Sequence, residues 1–115
     1  MKIKGIVKRH LGRGKKLGFP TANLDWHAEI PDGVYVGKVN GNMLALIFSG
    51  MAKTYEEKDK QLEVYILDFD QDIYDQEIDV ELLQKIRDNK KFNSEAELIE
   101  QMKHDEIIAR RYFGQ

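Results

Sequence analysis

At 115 residues the chain has room for one hydrophobic core and not two. With 42% hydrophobic and 33% charged residues it has the balance of a soluble globular domain, and no apolar run reaches the length that crosses a bilayer. The absence of cysteine excludes disulfides and thiolate chemistry, and a net charge of −2 excludes a chain-wide electrostatic footprint for nucleic acid. Lys2, Lys4, Lys8 and Arg9 interrupt the apolar core that a secretory signal would need, which points to a cytoplasmic setting.

In chain order, Ile3 to Lys8 alternates as a strand and leads into a glycine-rich segment. A short extended piece follows from Thr21 to Leu24. Gly33 to Val39 alternates again, and Asn40-Gly41-Asn42 tolerates the positive φ of a hairpin turn into Met43 to Phe48. Gln61 to Phe69 is the longest apolar strand, with Leu62, Val64, Ile66 and Asp68 on one face and Glu63, Tyr65, Leu67 and Phe69 on the other. Both faces are mostly apolar, so this strand is expected to be covered on both sides and to hold Glu63 in partly apolar surroundings. Asp79 to Lys90 fits either a helical stripe or a strand, and propensity leans to the helix. Ser94 with Glu97 forms a capping box, and Leu98, Met102, Ala109 and Tyr112 or Phe113 recur at helical spacing, predicting a C-terminal helix. Arg110 and Arg111 in its last turn complement the helix dipole. Many short strands and one terminal helix suggest a small antiparallel barrel with the helix packed on it.

The segment from Gly12 through Arg13-Gly14-Lys15-Lys16-Leu17-Gly18-Phe19-Pro20-Thr21-Ala22-Asn23 carries the chemistry. Glycines let backbone amides approach phosphate oxygens, lysine and arginine supply charge, and a threonine hydroxyl near an asparagine amide offers hard oxygens to magnesium. Thr21 and Asn23 are two apart, which on an extended chain sends both side chains to one side. The segment is neither a Walker A loop, since Gly-Lys-Ser or Gly-Lys-Thr is missing at the required offset, nor a dinucleotide fingerprint, which would need a glycine at Leu17. His10, His27 and His104 lack metal-ligand spacing.

Gly18-Phe19-Pro20-Thr21-Ala22-Asn23 resembles the signature of the riboflavin kinase family. The resemblance continues in order through Pro31-Asp32-Gly33-Val34-Tyr35, Leu62-Glu63-Val64-Tyr65 to Phe69, and Ile86-Arg87 to Lys91-Phe92-Asn93-Ser94. It implies a mostly β fold, a six-stranded antiparallel Greek-key barrel with a C-terminal helix, a barrel strand followed by a loop over Asp79 to Lys90, and ATP-dependent phosphorylation of riboflavin to FMN. It also implies that Gly12, Gly14, Lys15 or Lys16, and Gly18 line the phosphates, that Thr21 and Asn23 hold Mg2+, with Thr21 also at the nucleotide, and that Tyr74 lies near the adenine. Glu63 would be the catalytic base, and Arg87, Lys90 and Phe92 would contact the flavin. Residues 1–115 would then be one kinase domain similar to the C-terminal part of bacterial bifunctional enzymes, either standing alone or excised. It is expected to be a monomer with no nucleic-acid or membrane partner.

From the residues alone other roles stay open. Glu63 could reach solvent or pair with a lysine. Arg87 and Lys90 could be solvent-facing charges, Phe92 a hydrophobic staple, and Tyr74 a core residue. The chain departs from the family pattern at His10, where a glycine is usual, and in Phe48-Ser49-Gly50-Met51-Ala52-Lys53-Thr54-Tyr55, which lacks the usual asparagine and proline. These departures motivate an alternative, a flavin-binding sensor with impaired catalysis. The basic loop motivates another, a small barrel that grips single-stranded nucleic acid.

Overall fold

The computed structural model describes residues 2–8, 22–24, 30–51, 60–68, 75–90 and 92–114. Their elements are β1 (Lys2–Lys8), β2 (Ala22–Leu24), β3 (Gly33–Val39), β4 (Met43–Met51), β5 (Lys60–Ile66), β6 (Glu77–Arg87) and α1 (Glu95–Tyr112). The expectation of a mostly β, antiparallel fold ending in one helix agrees with this. Five strands of at least seven residues make the body of the sheet, and the three-residue β2 bridges β1 to β5. The order β1-β2-β5-β4-β3-β6 returns on itself through pairing of β6 with β1.

Alternation along each strand separates two apolar clusters. Ile3, Val7, Leu24, Val39, Ile47, Leu62, Val64, Ile66, Ile78 and Val80 point into the closed sheet and form the main core. The opposite face of β3, β4 and β5 carries Val34, Val36, Leu46 and Leu67, with Phe48 and Tyr65 packed beside them, and α1 covers it with Ala109 and Phe113. Such burial stabilises by roughly 25 cal/mol per Å² of apolar surface, which gives two-sided strands their weight in a domain this small.

Local chemistry explains the joints. Asn40 (φ 52°) and Gly41 (φ 80°) take the left-handed conformation that closes β3 onto β4, and Asn40 also accepts from the Asp79 amide at 2.9 Å through Oδ1. At the helix start the Ser94 hydroxyl accepts from the Glu97 amide at 3.2 Å. Glu97 Oε2 in turn accepts from the Asn93 amide at 3.0 Å, one residue earlier than the reciprocal bond of a standard capping box. Gly37 sits where β6 crosses closely, beside a register shift between β3 and β6. A side chain there would run into the Glu81 carbonyl and Ile47.

Several boundaries differ from the sequence reading. Asp79 to Lys90 is a strand as far as Arg87 and a loop beyond it, as the resemblance implies and against the helical propensity, because β6 pairs along one edge with β1 and along the other with β3. β5 stops at Ile66 rather than Phe69, since Asp68 turns into positive φ (57°) and its carboxylate is taken up by Arg110 at 2.8 and 3.0 Å. β4 runs on to Met51, sustained by pairing with β5 as far as Lys60. Arg110 therefore does more than complement a dipole: it ties the last helical turns to the end of β5.

Candidate active site

Glu63 is half-buried on the helix-side face of β5, between the inward residues Leu62 and Val64. Its strand neighbours are Asn23 of β2 and Phe48 of β4, each directly opposite it. Directly opposed residues of an antiparallel pair lie about 4.5–5.5 Å apart at Cα. The fold thus sets two candidates forty positions apart in the chain, the base and a magnesium ligand, at adjacent backbone positions. The next residue along that face is Tyr65, whose hydroxyl donates to Glu106 Oε1 of α1 at 2.9 Å. Burial first, and this bond second, push the Tyr65 hydroxyl up to about 12. At Tyr65 the strand is covered on both sides, as the sequence predicted, and Leu67 just beyond it joins the same helix-side cluster.

The flavin-side candidates cluster after β6. Lys90 and Phe92 line an open cleft of about 470 Å³ whose other wall is the first half of α1, through Ala96, Glu97, Glu100, Gln101 and His104. Lys90 Nζ donates to Gln101 Oε1 at 3.3 Å across it. Arg87 has a different commitment. Its guanidinium holds Asp105 of α1 through two bonds, Nε to Oδ1 at 2.8 Å and Nη2 to Oδ2 at 2.7 Å, and donates a third to the Asp88 carbonyl at 3.0 Å. Arg87 is therefore no solvent-facing charge. It fastens the end of β6, and with it the loop bearing Lys90 and Phe92, to the helix.

Asp105 is a residue that sequence reasoning passed over. It is fully buried and also accepts from Gln101 Nε2 at 3.0 Å. Its signal was available: Met102, Asp105 and Ala109 share one helical stripe, and a carboxylate on an apolar stripe needs a buried partner. Gly12, Gly14, Lys15, Lys16, Gly18, Thr21 and Tyr74 lie outside the described residues, and for Asn23 only the backbone is described. Among the described residues no group of three His, Asp or Glu side chains is placed to hold a metal. No described helix is long and apolar enough to cross a membrane.

The sequence model of the riboflavin kinase (flavokinase) family matches residues 1–113. Among curated proteins, the trifunctional protein RibF/MnmA of Mycoplasmoides gallisepticum is 43% identical over 117 residues, covering 96% of this chain and 18% of that one. The bifunctional riboflavin kinase/FMN adenylyltransferase of Bacillus subtilis is 38% identical, covering 97% of this chain and 38% of its own length. The RNA-binding riboflavin kinase RibR of the same organism is 36% identical, covering 96% and 50%. A crystal structure described as a macrolide-efflux protein from Streptococcus pneumoniae superposes with a TM-score of 0.83 at 37% identity, covering 95% of this chain and 38% of that one. The chain belongs to the riboflavin kinase family. It spans half or less of the length of these curated relatives.

Proposed function

We propose that residues 1–115 form a riboflavin kinase domain that transfers the γ-phosphate of ATP to the 5′-hydroxyl of riboflavin, giving FMN and ADP. The observation that carries this reading is the pairing of Asn23 with Glu63 across β2 and β5, inside a family match that spans the chain. Phosphoryl transfer to an alcohol needs a phosphate cradle, an acceptor for the hydroxyl proton and in-line placement. Glu63 takes that proton as the hydroxyl oxygen bonds to the γ-phosphorus, and the bond from the γ-phosphorus to the bridging oxygen breaks to release ADP. Gly12, Gly14, Lys15, Lys16 and Gly18 contact the phosphates, and Tyr74 the adenine. Thr21 and Asn23 present hard oxygens of the kind Mg2+ takes, and the ion would neutralise charge on the transferring phosphates. Lys90 and Phe92 meet the flavin in the cleft against α1, while Arg87 acts by holding their loop.

On this reading the sheet is the family's six-stranded Greek-key barrel, counting β2 as the sixth strand. The spatial order β2-β5-β4-β3 supports it, since three consecutive strands are followed by one reached through the long β2–β3 connection. We infer a monomeric cytoplasmic enzyme that does not use nucleic acid as a partner. One relative bears the name RNA-binding, so an oligonucleotide titration belongs beside the activity assay.

The test is to incubate the protein with riboflavin, Mg2+ and ATP, or CTP separately, and to separate flavins by chromatography. FMN is expected. Quenching of riboflavin fluorescence without FMN from any donor would overturn the kinase reading in favour of a flavin sensor.

A further inference from the structure

The loop after β6 is held from two directions. On the helix side Arg87 grips Asp105, and Lys90 reaches Gln101. On the sheet side the Asn89 amide crosses to β4, where Nδ2 donates to the Ser49 carbonyl at 3.0 Å. That approach depends on the next residue being glycine. A β-carbon on Gly50 would stand 2.7 Å from Asn89 Nδ2, closer than such contacts occur. Gly50 is not in the left-handed region, so what it provides here is space for the amide.

The position reached is next to the candidate base. Ser49 turns inward, its hydroxyl donating to the Ile30 carbonyl at 3.3 Å, so Phe48 and Gly50 face outward on the side of Glu63. Phe48 is directly opposite Glu63, and Gly50 is opposite Gln61. Gly50 is thus one diagonal step from Glu63 on the same face, a separation of about 7–8 Å in antiparallel sheets. The Asn89 amide links the loop that carries Lys90 and Phe92 to the strand that flanks Glu63.

We propose that Asn89 is a positioning residue for the reaction: its amide, seated on Gly50, sets the flavin-side loop at a defined distance from Glu63 so that riboflavin is captured with its hydroxyl in reach of the base. This rests on the kinase reading. The contact is made by one neutral hydrogen bond and one close packing position, and two substitutions break it from opposite sides. Asn89→Ala removes the donor. Gly50→Ala keeps the donor and displaces it. Asn89→Asp keeps the shape and removes the N–H.

Steady-state kinetics of FMN formation test this, with riboflavin and ATP varied separately. Losing one such bond predicts a KM for riboflavin about three- to tenfold higher in each single variant, with KM for ATP unchanged. In the double variant Gly50→Ala/Asn89→Ala the new methyl has nothing to displace, so its KM for riboflavin should match that of Asn89→Ala rather than the product of the two effects. If wild type forms FMN while Asn89→Ala and Asn89→Asp keep a riboflavin KM within about 1.5-fold of wild type, well below the loss expected for a neutral bond, the proposal is overturned and the kinase reading stands. Multiplying effects in the double variant, or equal changes in both KM values, overturn it as well. A wild type that forms no FMN removes both. Asn89 is exposed, so its two variants should fold and decide the matter even if Gly50→Ala does not.

Discussion

Replacing Arg87 with alanine should be among the most damaging single changes to this fold. Asp105 is completely buried, and its carboxylate is held by two guanidinium bonds and one amide bond from Gln101. Without Arg87 it would keep only the neutral amide at 3.0 Å. Removing one member of a buried pair costs roughly 3–5 kcal/mol, because the remaining charge must stay unpaired or become protonated. The lower part of that range is expected, since the Arg87 side chain is 16% exposed and water can enter the space it leaves. Against a total stability of roughly 5–15 kcal/mol this is a large fraction. At about 4 °C per kcal/mol for a domain of this size, a loss of about 3–4 kcal/mol should lower Tm by about 12–16 °C. The reciprocal change should be milder. In Asp105→Ala the guanidinium retains the Asp88 carbonyl at 3.0 Å and can turn toward solvent, so a loss of about 2 kcal/mol is expected. Arg87→Met combined with Asp105→Leu should recover most of the stability, as apolar replacement of a buried pair is often neutral. Urea unfolding followed by circular dichroism measures all three, with equal m-values required for comparison. A loss below about 1 kcal/mol in Arg87→Ala would refute the claim that this pair fastens the sheet to the helix.

Glu63→Gln should lower kcat for FMN formation by about 10²- to 10⁴-fold while riboflavin binding, read by fluorescence quenching, is retained; near-normal turnover would remove Glu63 from the role of base. Gly37→Ala should cost about 1–3 kcal/mol in the same urea assay, because its methyl meets the Glu81 carbonyl and Ile47 at the β3–β6 crossing. Tyr65→Phe tests the helix contact through pH. The Tyr65 hydroxyl is raised from 10.0 to about 12, so the folded state keeps a proton that the unfolded chain has lost. Its stabilisation is complete below about pH 10 and disappears as pH rises toward 12, so the stability difference between wild type and Tyr65→Phe should shrink across that window. A difference independent of pH would mean that Tyr65 is not held as described.

The relatives named above are longer, and the match to this chain covers only part of their length. The arrangement proposed for catalysis is economical in elements: β2 and β5 set Asn23 opposite Glu63, and the loop after β6 with α1 lines the cleft proposed for the flavin.

Much of this was legible in the amino-acid order. Period-two alternation located the strands, the Asn40-Gly41 pair located a hairpin, and Ser94 with Glu97 located the helix start, because each is an interaction between residues a few positions apart. The ordered motifs around Thr21, Asn23 and Glu63 also pointed to the riboflavin kinase family, to which the chain belongs. What the tertiary structure alone decided was who faces whom. Asp79 to Lys90 leaned to helix by local propensity, and the strand that the family resemblance implied there is held by backbone partners on β1 and β3. The apolar stripe of the helix hints that Asp105 is buried, but that Arg87 is its partner is settled only when the helix docks against the end of β6. Asn89 and Gly50 acquire a joint role only when a loop folds back over β4, thirty-nine positions earlier in the chain. Local patterns reside in neighbouring residues, whereas register and burial depend on closure of a sheet from distant segments, and no single stretch of sequence contains both sides of those contacts.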